Sequence, residues 1–93
     1  MTAQTAIHAR ISGRVQGVGF RVWTQEQALA LGLAGWVRNE RDGSVSALLA
    51  GPNEAVAAML ERLRVGPLGA KVTAVTTTPA DDSRTTGVFR ILS

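Results

Sequence analysis

"AIHARISGRVQGVGFRVWTQEQALAL", residues 6 to 31, changes its hydrophobic period partway along, and the change decides the fold. Ile7, Ala9, Ile11, Gly13 and Val15 alternate with His8, Arg10, Ser12 and Arg14. A period of two predicts a strand with one buried face. From Phe20 to Leu31 the spacing becomes helical: Phe20, Thr24, Ala28 and Leu31 fall on one stripe, with Gln25, Glu26 and Gln27 facing solvent. Gly32 then stops the helix, because the residue there needs positive φ. Between the two periods lies "GRVQGVGFR", residues 13 to 21, where strand must become helix.

Downstream, "GWVRNERDGSVSALLAG", residues 35 to 51, reads as a hairpin. Its two β-prone runs flank Asp42-Gly43, a dipeptide favoured in tight turns because both residues tolerate φ > 0. "GPNEAVAAMLERLR", residues 51 to 64, predicts a second helix with Pro52 near its start. Val56, Met59, Leu60 and Leu63 form its apolar stripe, and Gly66, Pro67 and Gly69 end it. "AKVTAVTTTP" is strand-like, "ADDSRTTG" a polar loop and "VFRIL" a short last strand. The first six of these elements, in the order β-α-β-β-α-β, predict an α+β, ferredoxin-like sandwich, an antiparallel sheet with two helices on one face. The expectation is a single domain over 1–93 with an ordered core over 6–92.

Composition narrows the function classes. With 45% hydrophobic and 18% charged residues, the chain is globular in character. The absence of cysteine removes disulfides, thiolate metal sites and a cysteine nucleophile together. A net charge of +3 is too small to be a nucleic-acid footprint by itself. Single-stranded RNA readers on this fold stack bases on aromatics of the central strands, and the third strand here, "SVSALLA", has none. "MTAQTAIHAR" carries no apolar run of leader length, so a cytoplasmic protein without membrane partners is expected.

The strand-to-helix loop can hold an anion. Unpaired backbone N–H groups would gather near the positive end of a helix dipole, and Gly17 and Gly19 let the backbone approach a ligand. Arg21, in the first helical turn, adds a planar five-donor fork. Glycines in such a place also serve simply as a turn, and both readings stand on these residues alone. Walker A fails because Phe20-Arg21 follow Gly19, and the dinucleotide fingerprint fails at Val22.

Taken together, "GRVQGVGFR", "GWVRN" and "DGSV" resemble the acylphosphatase family, small ferredoxin-like enzymes that hydrolyse carboxyl-phosphate mixed anhydrides. The resemblance runs from Ile7 to Ile91. It implies that the backbone N–H groups of Gln16, Gly17, Val18, Gly19, Phe20 and Arg21 cradle the phosphate. Arg21 then binds its oxygens and Asn39 positions the attacking water. The implied partners are a small-molecule acyl phosphate and its product, inorganic phosphate. No cofactor, metal or nucleic acid is expected, and nothing requires more than a monomer.

This chemistry is coherent on its own terms. Hydrolysis at phosphorus expels a carboxylate whose conjugate acid has a pKa of roughly 4, so no general acid is needed at neutral pH. What remains is holding charge on the phosphoryl oxygens and a water in line. Asn39 offers an acceptor and a donor but cannot act as a base. Neither "GRVQGVGFR" nor "GWVRN" contains Asp, Glu or His, which suggests that the water's proton passes to a phosphate oxygen of the substrate. Glu40 would point to the face of the strand opposite Asn39.

Other residues read as structural. His8, the only histidine, is expected on the polar side of the first strand, Arg38 on a solvated face, and Arg14 near the site entrance. Trp23 and Trp36 read as packing residues, and Thr24 as a packing or supporting one. Asp81-Asp82 lacks partner ligands for a metal. Many acylphosphatases end in an aromatic residue where this chain reads "FRILS", a departure expected to affect packing at the terminus but not the site.

Overall fold

The alternating run forms strand β1 (Gln4–Arg14), followed by helix α1 (Phe20–Ala30) and strand β2 (Ala34–Asn39). Strand β3 (Val45–Pro52), helix α2 (Asn53–Val65), strand β4 (Lys71–Pro79) and strand β5 (Phe89–Ile91) complete the chain. These elements come from a computed structural model, which describes residues 3–81 and 87–92. Asp82 therefore lies outside the described residues.

The five strands lie in the order β4-β1-β3-β2-β5. All pairings are antiparallel except β2 with β5, so the sheet is mixed rather than wholly antiparallel. The reason is topological: β5 returns beside β2 at the sheet's edge and runs in its direction, pairing Gly35 with Phe89 and Val37 with Ile91. β1 and β2 also run parallel to each other with β3 between them, the split βαβ arrangement. Residues Ile11, Val45 and Asn39 consequently share one rung across β1, β3 and β2. A bulge at Ser12/Gly13 against β4 breaks the register just before β1 ends. Bulges bend and twist the strand that carries them, here at the point where the chain leaves the sheet.

Both helices cover one face. Their stripes, Phe20, Thr24 and Ala28 on α1 and Val56, Met59 and Leu63 on α2, are buried against the sheet. Leu60 is half-buried at the stripe's margin. Ala9, Ile11, Val37, Val45, Ala47 and Leu49 supply the opposing surface. Burial of each large apolar side chain contributes about 1.5–3 kcal/mol.

The turn after β2 differs from the expected two-residue hairpin. Only Gly43 has positive φ there, at 92°, and Asp42 does not. The Gly43 N–H donates to the Glu40 carbonyl at 3.2 Å and the Glu40 N–H to the Ser44 carbonyl at 2.8 Å. Asp42 serves instead through its side chain: Oδ1 accepts from the Ser44 N–H at 3.0 Å and from its Oγ at 2.6 Å. This is the longer hairpin connection, in which glycine takes the left-handed position after an ordinary turn.

On the open face of the sheet, His8 meets the edge of Trp36, with ring centroids 5.7 Å apart, and Arg38 stacks over the same indole at 4.7 Å. Trp23 packs against Phe20 at 5.4 Å.

Candidate active site

β1, β2 and β5 all finish at the same end of the sheet, and α1 begins there. A cleft of about 190 Å³ opens between them, lined by Val15, Gln16, Gly17, Gly19, Phe20, Arg21, Val22, Asn39 and Ile91. Sequence separation is erased by pairing: β3 brings the end of β2, with Asn39, level with the end of β1.

The loop from Val15 to Gly19 is shaped by its glycines. Gly17 has φ 77° and Gly19 φ 74°, both left-handed, with open space where a Cβ would stand. Alternation of left-handed and ordinary residues turns successive N–H groups toward one concavity. Gly19 is the N-cap of α1 and offers no side-chain hydrogen bond, and the first turn carries no acidic residue. The first helical bond runs from the Trp23 N–H to the Gly19 carbonyl at 3.0 Å. Upstream of it, the N–H groups of residues 16 to 22 donate to no other backbone group among the described residues. Such a row of unused donors at the positive end of a helix is suited to an anion.

Arg21 is half-buried beside this row, and its Nη1 donates to the Leu92 carbonyl at 3.2 Å. Leu92 is in turn anchored by its own N–H to the Val37 carbonyl at 2.8 Å. The guanidinium is thus aimed by the end of β5, and Ile91 from the same strand forms a wall of the cleft. The end of the chain thus reaches the arginine through a backbone carbonyl rather than through a side chain. The physical reason is the parallel pairing of β5 with β2, which no local pattern announces.

Gln16 also does more than present its backbone. Its Nε2 donates to the Glu40 carbonyl at 2.7 Å and to the Ser44 carbonyl at 2.8 Å. Val18 is not among the cleft's lining residues; its side chain packs against the hydrophobic core. The cleft therefore brings together Gln16, Gly17, Gly19, Phe20, Arg21 and Asn39, and adds Val15, Val22 and Ile91, which the motifs did not single out.

Among the described residues, no carboxylate or imidazole side chain lines this cleft. The Glu40 carboxylate accepts from Arg38 Nε at 2.8 Å, outside the cleft, and that hydrogen bond is the first cause holding its pKa below the usual carboxylate range. Asp42 is likewise lowered, first by its hydrogen bonds from Ser44 and then by the charge of Arg10, whose Nη2 lies 3.1 Å away. Thr24 is buried on the core side of α1 and does not line the cleft.

Known proteins resemble the chain throughout its length. The acylphosphatase family model matches residues 7–91. An acylphosphatase of Rhizobium etli is 60% identical over 92% of this chain and 92% of its own. One from Mesorhizobium japonicum is 57% identical over 95% of this chain and 94% of its own. The crystal structure of acylphosphatase from Bacillus subtilis superposes with a TM-score of 0.91 at 35% identity, covering 98% of this chain and 100% of that one. With the anion-ready loop, its arginine and the facing amide all in place, this chain belongs to the acylphosphatase family.

Proposed function

We propose that the cleft hydrolyses acyl phosphates by holding the phosphoryl group on the backbone N–H groups of Gln16 to Arg21 and on the Arg21 guanidinium, with Asn39 orienting the attacking water. The observation that carries this reading is the meeting of unused helix-start donors, Arg21 and Asn39 in one cleft. In-line attack spreads charge over the three non-bridging phosphoryl oxygens, which fixed dipoles and a guanidinium stabilise without reorganisation. The carboxylate then departs unprotonated. Asn39 accepts from the water and donates toward a phosphate oxygen, and the water's proton passes to the substrate. Glu40 and His8 face away from the cleft, which favours that route over an enzyme base.

The partners are an acyl phosphate and the product inorganic phosphate, with the chain acting as a cytoplasmic monomer. His8 and Arg38 already occupy the surroundings of the Trp36 ring, which leaves it poorly placed to stack nucleic-acid bases. Benzoyl phosphate hydrolysis by wild type, Arg21→Ala and Asn39→Ala tests the reading. Arg21→Ala should lower kcat/KM by about 10³ and weaken inhibition by inorganic phosphate. Asn39→Ala should lower kcat by about 10² while phosphate inhibition stays intact. Full activity in both variants would sink the assignment of roles.

A further inference from the structure

The 40–44 turn is built from few parts, and every carbonyl that closes it is used twice. The Ser44 carbonyl accepts the Glu40 N–H at 2.8 Å and Gln16 Nε2 at 2.8 Å. The Glu40 carbonyl accepts the Gly43 N–H at 3.2 Å and Gln16 Nε2 at 2.7 Å. A primary amide nitrogen has two hydrogens, and these two bonds consume both. Gln16 is also the only residue between Val15 and Gly19 whose side chain can hydrogen-bond. It is therefore the one side-chain link between the phosphate loop and the segment that begins immediately after Asn39.

We propose that Gln16 is a positioning residue for the hydrolytic reaction, a two-pronged strut that sets the distance between the 16–21 cradle and the Asn39 amide. The inference rests on the role assigned to Asn39 above. Glu40 is bonded covalently to Asn39, so a clamp on the Glu40 carbonyl restrains the peptide that carries the Asn39 side chain. On the other side, Gln16 opens the cradle, whose glycines would otherwise leave it free to shift. Misplacing a reacting group by about 1 Å costs on the order of 10²-fold in rate, so a clamp of this kind acts on kcat rather than on affinity. The opposite end of the turn is braced independently: Arg10 Nε donates to Ser44 Oγ at 2.9 Å. Loss of the Gln16 clamp should therefore loosen the turn without dismantling it.

Gln16→Met keeps the length and removes both donors, and Gln16→Glu sets a carboxylate against two carbonyls. Both variants should lower kcat for benzoyl phosphate, Gln16→Met by about tenfold and Gln16→Glu by more, with inhibition by inorganic phosphate changed less than about threefold. Amide hydrogen exchange at Glu40 should quicken in both. In an Asn39→Ala background, Gln16→Met should change kcat by less than about twofold, because the strut acts through Asn39. An equal loss in both backgrounds, or a loss of phosphate inhibition with kcat retained, would overturn the proposal. So would unchanged kcat in Gln16→Met and Gln16→Glu while Asn39→Ala is impaired, and that result would leave the role of Asn39 standing. Full activity in Asn39→Ala would overturn the role of Asn39 and the strut together.

Discussion

The two helices of this protein begin in similar ways and are finished differently. Neither N-cap, Gly19 before α1 or Pro52 before α2, supplies a side-chain hydrogen bond. At α2 the chain satisfies its own helix: the Asn53 N–H donates to the Ala3 carbonyl at 2.9 Å, and Glu54 places a carboxylate in the first turn. At α1 no acidic residue occupies the first turn, Gly17 and Gly19 keep the approach clear, and Arg21 adds positive charge. Both termini carry the same partial charge from the same aligned peptides. A helix start left unfilled in this way is suited to an anion.

The sharpest way to break this contrast is to give α1 what α2 has. Val22 is exposed and lines the cleft, so Val22→Asp puts a carboxylate at the open helix start. We expect KM for benzoyl phosphate and the inhibition constant for inorganic phosphate to rise on the order of tenfold, as the new charge repels the phosphate it replaces. A neutral Val22→Asn variant should rise far less, and equal effects from both would point to shape rather than charge. The reverse change at α2 should be quieter. Glu54→Gln should cost about 0.3–1 kcal/mol in thermal or denaturant unfolding and leave kcat/KM unchanged. A change in activity there would mean that the two helix starts are coupled.

The smallest effect concerns the hairpin turn. Asp42 and Glu40 have folded pKa values below their ordinary 3.8 and 4.5, so the folded state favours their ionised forms. Their contribution is fully present above those unfolded values and is lost as pH falls through the lower folded ones. Asp42→Asn should therefore reduce stability slightly at neutral pH and flatten its decline below about pH 4, read by urea midpoints across pH. Equal pH dependence in wild type and variant would remove Asp42 from that account.

Much of this architecture is legible along the chain because it depends on neighbours in sequence. The switch of period between Val15 and Phe20 locates both β1 and α1, and the stripes of Val56, Met59 and Leu63 locate α2. The hairpin is legible too, but its turn type is not. Asp-Gly satisfies several turns equally, and the ties from Asp42 to Ser44 and Arg10 select the longer one. The β5 segment is short, and whether it runs parallel or antiparallel to β2 depends on where the intervening chain returns it, not on its composition.

By itself, then, the sequence determined the order of elements, the buried faces, and a glycine-lined helix start followed by an arginine. Periodicity and the stereochemistry of single residues suffice for those. Only the tertiary structure decided that Asn39 faces the cradle, that Gln16 spans to the 40–44 turn, and that Arg21 is aimed by a carbonyl 71 residues away. Those contacts follow from strand register and sheet order, which join segments far apart in the chain and are set by the packing of the whole domain.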